Sequence, residues 1–297
     1  MGVEEEMILK RTLGKLKRKI ILNSKNHKNS SRRKLNQDAI EVGEAVIVTD
    51  SWGMRFTHYP NDSENLEVVT KKEFYSPELK AMKRLVHKNA TVIDVGANIG
   101  LFSVFISKEI GPKGKLVAFE PVGDTFWRMQ ENLALNRCMN VVPLQQALSN
   151  KKGKATMNIF PEGYGAWNTF GKPVFGDIKS IDTEKVEVTT LDAYMAENSI
   201  KTIDFLKIDV EGYERDVLEG ARNTLKAGNV TYISFEISDI PLKGARRKPE
   251  DIFNYLKEYG YLAYEFDENL IRFKGPVAMS DTFYQNFYAS KKDLRKL

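Results

Sequence analysis

Thr91-Val92-Ile93-Asp94-Val95-Gly96-Ala97-Asn98-Ile99-Gly100 is the stretch that decides the fold. An apolar run of buried-strand type ends near an acid, Asp94, and passes into a glycine-spaced turn that opens a helix. Glycines at such a turn admit tight backbone angles and carry no side chain, so a nucleoside-bearing ligand can lie against bare backbone amides. Twenty residues beyond Gly100, the run Lys115-Leu116-Val117-Ala118-Phe119-Glu120 ends in a second acid. At the tip of a second strand, Glu120 is placed to hold ribose hydroxyls. The turn departs from the full G-x-G-x-x-G pattern, because Asn98 stands where the middle glycine would be. That exchange disfavours close approach of a pyrophosphate, whereas a nucleoside or amino-acid moiety needs only backbone N–H groups and a flanking carboxylate.

Outward from this point, apolar runs alternate with helical patterns, which predicts an α/β fold with a mostly parallel sheet and helices on both faces. The expected order is strand 91–95, helix 100–110, strand 115–120, helix 123–136 and strand 141–145, then strand 155–160. The second half continues with strand 186–190, helix 191–198, strand 203–209, helix 213–226 and strand 231–237. A helix over 249–259 and strands near 261–266 and 283–289 close the series, ending in an antiparallel hairpin. Before the glycine turn, residues 45–49 and 54–57 read as a hairpin and 77–87 as a helix with Pro77 near its start. Three divisions follow: a basic arm over 1–40, a small cap over 41–90, and the main domain over 91–297. The main domain carries an insertion at about 155–185, rich in Gly, Pro and aromatics. Ligands of open α/β sheets bind beyond the carboxyl ends of the strands, so Asp94, Glu120, Asp209 and Glu236 are expected on one rim.

Composition agrees with a globular chain: 42% of its 297 residues are hydrophobic and 29% charged. No apolar run reaches membrane-spanning length, and the N-terminus lacks a signal-peptide core, so a cytoplasmic location is expected. Cys138 is alone, which excludes an intrachain disulfide and a cysteine-based metal cluster. Charge is concentrated at the start: residues 1–40 hold eleven Lys or Arg against four acids, while the remainder holds 34 against 36. Leu9, Leu13, Leu16 and Ile20 recur at helical spacing among these basic residues. The arm therefore reads either as a basic amphipathic helix for an anionic membrane surface or nucleic acid, or as a solvated helix packed on the body.

The chain resembles the S-adenosylmethionine-dependent methyltransferases, and more narrowly the FkbM family. The resemblance is carried by Val92 to Gly100, Ala118-Phe119-Glu120-Pro121, Gln146-Ala147-Leu148-Ser149 and Leu206-Lys207-Ile208-Asp209-Val210-Glu211-Gly212-Tyr213-Glu214. It covers roughly residues 70–240 and, more weakly, the rest to the C-terminus, and it excludes the arm. It implies a Rossmann-like seven-stranded methyltransferase sheet, six strands parallel and one antiparallel, and S-adenosyl-L-methionine as cofactor. It further implies that Asp94, Gly96, Ala97, Asn98 and Gly100 surround the methionine part, that Glu120 accepts from both ribose hydroxyls, and that Gln146 and Ala147 edge the adenine.

Methyl transfer to a hydroxyl needs a proton acceptor. His27, His58 and His87 all precede the turn and read as surface or packing residues. That leaves carboxylates or a lysine as the proton acceptor: Asp209, with Glu211 or Glu236, is placed to deprotonate an alcohol directly, Lys207 on its strand stays undecided between inward and outward, and the same acids are an alternative seat for Mg2+, which would lower an alcohol's pKa. Glu211 also reads as an acid attracted to a helix N-terminus. The resemblance points to O-methylation of a sugar hydroxyl in a glycan, glycolipid or small-molecule product. The aromatics Phe160, Tyr164, Trp167, Phe170 and Phe175 either stack on the acceptor or form the insertion's own core. Two alternatives stand beside this reading: an RNA ribose methyltransferase that uses the basic arm, and a non-catalytic binding protein on the same fold.

Overall fold

The computed structural model describes residues 40–42, 45–49, 52–59, 76–161, 164–171, 179–277 and 284–297. The basic helix expected over 9–20 and the linker after it lie outside the described residues. The chain first forms β1 (Ile40–Val42), β2 (Ala45–Thr49) and β3 (Arg55–His58), which pair antiparallel in that order. The expected hairpin is present and gains a third strand. Helix α1 (Ser76–Leu85) follows, and then the alternating series begins. It runs β4 (Thr91–Val95), α2 (Leu101–Ile110), β5 (Lys115–Phe119), α3 (Gly123–Leu135) and β6 (Val141–Leu144). Next come β7 (Ala147–Leu148), β8 (Gly153–Ile159), β9 (Asp182–Thr189) and α4 (Leu191–Glu197). The remainder is β10 (Ile203–Ile208), α5 (Glu214–Gly220), α6 (Arg222–Ala227), β11 (Val230–Ser238), α7 (Asp239–Ala245), α8 (Pro249–Glu258), β12 (Leu262–Asp267), β13 (Arg272–Lys274) and β14 (Tyr284–Ser290).

Among the described residues the main sheet has eight strands in the order β13-β12-β14-β11-β10-β4-β5-β6. Strands β6, β5, β4, β10 and β11 are parallel, and β14 runs antiparallel between β11 and β12. Six strands thus share one direction, as expected. The expectation of seven strands falls short by β13, three residues that pair antiparallel with β12 at the edge. At the opposite edge, β6 carries Pro143, a residue without an N–H that only an edge strand or a bulge accommodates.

Central strands bury side chains on both faces, because helices cover both. Val92, Leu116, Ala118 and Phe205 pack with Ala81, Met82 and Leu85 of α1, Phe102 and Ile106 of α2, and Met129 and Leu133 of α3. Ile93, Leu206 and Ile208 face the other way, onto Leu191 of α4, Val217 and Leu218 of α5, Leu225 of α6 and Ile252 of α8. Full burial of each such aliphatic or aromatic side chain contributes roughly 1.5–3 kcal/mol, which fixes the register of the middle strands.

Two expectations change in the second half. The strand expected at 186–190 is β9, and it pairs with β7 and β8 in a separate three-stranded sheet rather than in the main one. Its burial explains why: Val186 and Thr189 are buried while Glu187 and most of its first half face solvent, the pattern of a one-sided strand. The helix expected over 213–226 is interrupted at Ala221, where Gly220 lies against the Ser149 carbonyl.

The chain leaves β4 toward β5 and β6 on one side, then returns to β10 on the other. Connections that diverge from neighbouring parallel strands open a crevice beyond their carboxyl ends, between β4 and β10.

Candidate functional site

A cavity of about 440 Å3 opens in that crevice. Its floor is the turn after β4. The amides of Gly96 and Ala97 donate to the Phe119 carbonyl at 3.0 and 2.9 Å, so the turn is tied to the end of β5. Gly96 has φ +80, and a Cβ there would lie 1.7 Å from the Asp209 carbonyl oxygen. Only glycine fits between the ends of β4 and β10. Asn98 also takes a left-handed angle, φ +51, which Asn adopts more readily than most residues. Its amide donates to Glu120 Oε2 at 3.0 Å, and the Val122 amide donates to Glu120 Oε1 at 3.0 Å. The Glu120 carboxylate is therefore fixed by two backbone donors. Burial pushes it up to about 7, and the two amides pull against that shift.

Gly96, Ala97, Asn98, Glu120, Gln146 and Ala147 all line the cavity. Two expected donor contacts do not. Asp94 is fully buried behind the turn, where its Oδ2 accepts from Ser103 Oγ at 2.7 Å and its Oδ1 has no hydrogen-bond partner among the described residues. Gly100 begins α2, packed so tightly on α3 that a Cβ would meet Met129 Cγ at 2.9 Å.

At the other end, Asp209, Glu211 and Glu236 face the same space, each offering an oxygen within 4.8 Å of the others. Asp209 follows β10, and Glu236 sits near the end of β11. Glu211 has φ +52 in the loop before α5, so it is not the N-terminal acid of that helix. Glu214 takes that place instead: its Oε1 accepts from the amides of Gly212 and Val210, at 3.1 and 3.3 Å, and shapes the loop. Burial first, and then neighbouring Asp209, raise the carboxyls of Glu211 and Glu236 well above the ordinary range.

Two charged groups complete the site that sequence reasoning did not assign. Lys207 lies on β10 opposite Asp94, almost wholly buried, with Nζ 2.7 Å from Asp209 Oδ2 and 4.5 Å from the centroid of the Phe102 ring. Burial would lower its ammonium, but Asp209, Asp94 and Glu78 outweigh burial and raise it. A signal for this was present, since a lysine within an apolar strand covered on both faces requires acid partners. Glu78 comes from α1 and also lines the cavity, with Oε1 buried and without a hydrogen-bond partner among the described residues. Burial, with Asp209 and Asp94 adding to it, pushes Glu78 up to about 8 against the pull of Lys207. Nothing in the sequence placed Glu78 there, because its position depends on how α1 docks.

The described part of the insertion forms a wall. Thr169 Oγ1 donates to the Glu211 carbonyl at 2.9 Å, and the Phe170 and Tyr213 rings meet edge to face at 5.4 Å. Trp167, Asn168 and Phe170 line the cavity, whereas Phe160 is buried against Trp167. Phe175 lies outside the described residues. His58 and His87 do not line the cavity: His58 is buried, and His87 is exposed beside Asp204 at 3.4 Å. Arg247 is engaged by Asp216 at 2.7 Å.

A mostly parallel sheet with a glycine turn at the switch point, facing an acid on the next strand tip, is the architecture of a nucleoside-cofactor enzyme, a class that includes the S-adenosyl-L-methionine-dependent methyltransferases. The walls fit that cofactor: the turn offers backbone and short side chains, and Glu120 offers a prepositioned carboxylate. Residues 94–263 match the model of the methyltransferase FkbM domain, and the chain belongs to that family. Similar proteins include "Methyltransferase 1" of Beauveria bassiana, 27% identical over 60% of this chain and 75% of its own length. The hexuronic acid methyltransferase AglP of Haloferax volcanii is 28% identical over 56% of this chain and 60% of its own length. The 31-O-demethyl-FK506 methyltransferase FkbM of Streptomyces tacrolimicus is 31% identical over 44% of this chain and 59% of its own length.

Proposed function

We propose that this methyltransferase acts on a hydroxyl, in a sugar of a glycan, a glycolipid or a small-molecule product. The observation that carries the reading is the carboxylate trio Asp209, Glu211 and Glu236 at the end of the cavity away from Glu120. From β5 to β11 the sheet steps through β4 and β10, three strand spacings of about 4.8 Å each, or ~14 Å. That length seats a donor across β5 and β4 and an acceptor against β10 and β11. Two relatives support the class of acceptor by their names, one a hexuronic acid methyltransferase and one a 31-O-demethyl-FK506 methyltransferase.

The residues divide accordingly. Glu120 accepts from the ribose hydroxyls, Gln146 and Ala147 border the base, and Gly96 to Asn98 border the methionine portion, with Asp94 and Gly100 holding the turn from behind. Bound in this way, the donor supplies a methyl group on a sulfonium, open to in-line displacement. Asp209, with Glu211 or Glu236 beside it, takes the proton of the acceptor hydroxyl. Lys207 fixes Asp209 by their 2.7 Å contact. Trp167 and Phe170 cover the cavity and exclude water from it.

The test pairs donor calorimetry with methyl transfer to a panel of free sugars, glycolipids and polyols, and RNA oligonucleotides are included. Glu120→Ala is expected to weaken donor binding by about 10–100-fold, the loss of hydrogen bonds to a charged acceptor. Asp209→Asn is expected to keep donor affinity and lose turnover. Full activity of both variants, or methylation of nitrogen alone, would overturn the reading.

A further inference from the structure

The geometry points to a divalent-cation site formed by Asp209, Glu211 and Glu236, selective for a hard ion of the Mg2+, Mn2+ or Ca2+ type. It lies in the acceptor end of the proposed hydroxyl methyltransferase site and rests on that reading for its catalytic use, but not for its existence.

Three features carry it. One is spacing: two oxygens on one cation stand at most twice the metal–oxygen distance apart, ~4.2 Å for Mg2+ and ~4.8 Å for a typical Ca2+. The three carboxylates already offer oxygens within 4.8 Å of one another, from two strand tips and one loop. The second is the unmet charge. Among the described residues, Lys207 is the one basic group lining the cavity, and its ammonium is spent on Asp209 Oδ2. Glu211 and Glu236 face each other with no cationic side chain among the described residues between them.

The third is Glu236 itself. It is 7% exposed and lines the cavity, and among the described residues no side chain or amide bonds to its carboxylate. A buried carboxylate ordinarily has an ion partner or hydrogen-bond donors. A cation supplies the missing partner, and the oxygen-only donor set excludes ions that prefer nitrogen or sulfur.

At this place a cation does two things for the proposed reaction. Held by Asp209, Glu211 and Glu236, it would supply Lewis-acid polarisation of the acceptor hydroxyl, and the proton would pass to whichever oxygen of these carboxylates does not hold the ion. It also reverses the sign of the acceptor end, where an anionic sugar would otherwise meet several acids. The Lys207 ammonium opposes binding, so affinity is set below that of an all-carboxylate cage.

The test uses the full chain without acceptor or donor. Mn2+ is titrated by calorimetry and by the loss of its free paramagnetic resonance signal, then displaced with Mg2+ and with Ca2+. One saturable ion per chain is expected, with affinity at least about tenfold weaker in Glu236→Gln and in Glu211→Gln. Glu219→Gln, outside the cavity, is expected to bind as the wild type. Circular dichroism and donor affinity verify that each variant is folded, and the two single variants cover for one another if either is not. No saturable binding up to ~5 mM, above the weakest sites of this kind, would overturn the inference. So would affinity unchanged in both variants. Because metal binding is read without turnover, a hydroxyl methyltransferase that ignores divalent ions would sink the cation site and leave the reaction standing.

Discussion

Replacing Gly96 by alanine tests the packing that places Asp209. The substitution imposes two costs. A left-handed angle, φ +80, costs an alanine ~1–2 kcal/mol. The new Cβ would also stand 1.7 Å from the Asp209 carbonyl oxygen and 2.8 Å from its carbon, so the ends of β4 and β10 must part by roughly 1.5 Å to reach ordinary contact. Parting strains the bond from the Asp209 amide to the Val95 carbonyl, now 3.0 Å, which is worth ~0.5–1.5 kcal/mol. Overpacking adds ~1–3 kcal/mol.

Gly260→Ala is the matched control. Gly260 has φ +82 with nothing within 4 Å of a built Cβ, so it isolates the backbone strain. Urea unfolding followed by tryptophan fluorescence should place Gly96→Ala at least ~2 kcal/mol below Gly260→Ala. Methyl transfer should fall with it, because Asp209 moves with its backbone. Equal stabilities of the two variants would refute the packing, and normal stability with normal turnover would refute the link to Asp209.

Further outcomes are expected elsewhere. Lys207→Met should destabilise the chain by ~3–5 kcal/mol, since it leaves buried Asp94 and the neighbouring Asp209 without their cation; a loss under about 1 kcal/mol in the same unfolding assay would contradict the pairing. Glu120, pushed up to about 7, should make donor affinity depend on pH. Below that pH it carries a proton and loses its acceptor role, so affinity measured by calorimetry should rise as pH increases through about 7 and then level off. Glu120→Gln should flatten the profile, and a wild-type profile flat from pH 5.5 to 8.5, on the order of the range set by that shift, would count against ribose contact. Removing residues 1–39 should leave donor affinity within about twofold, because among the described residues the cavity lining begins at Glu78; the same truncation tests whether any RNA binding, with its steep salt dependence, resides in the arm.

Much of this fold is visible in local pattern. The β4 turn was legible because its strand, glycines and following helix lie within some twenty residues and each obeys its own rule. Glu120, Asp209 and Glu236 were legible as strand-tip residues because parallel strands in one sheet end on one side. Asp94 shows where that logic stops: it is one position short of the strand's end, and a single residue separates a wall residue from one wholly behind it. The place of β9 was not readable from strand propensity alone, although its alternating charges marked one-sided burial. Glu78 was out of reach, since no spacing along the chain ties α1 to β10. Lys207 was readable in principle, because the energetic demand of a buried ammonium points to acids nearby even when their positions are unknown.

The place of β14 has a consequence for biosynthesis. It inserts between β11 and β12 and buries Phe287, Tyr288 and Ala289, yet it is made 46 residues after β11 ends. At a synthesis rate of ~5–20 residues per second, β11 waits on the order of 2–9 s with an open edge. During that interval the nascent chain presents an apolar strand margin to its neighbours on the polysome, so slowing translation over 239–284 should increase chaperone association and aggregation.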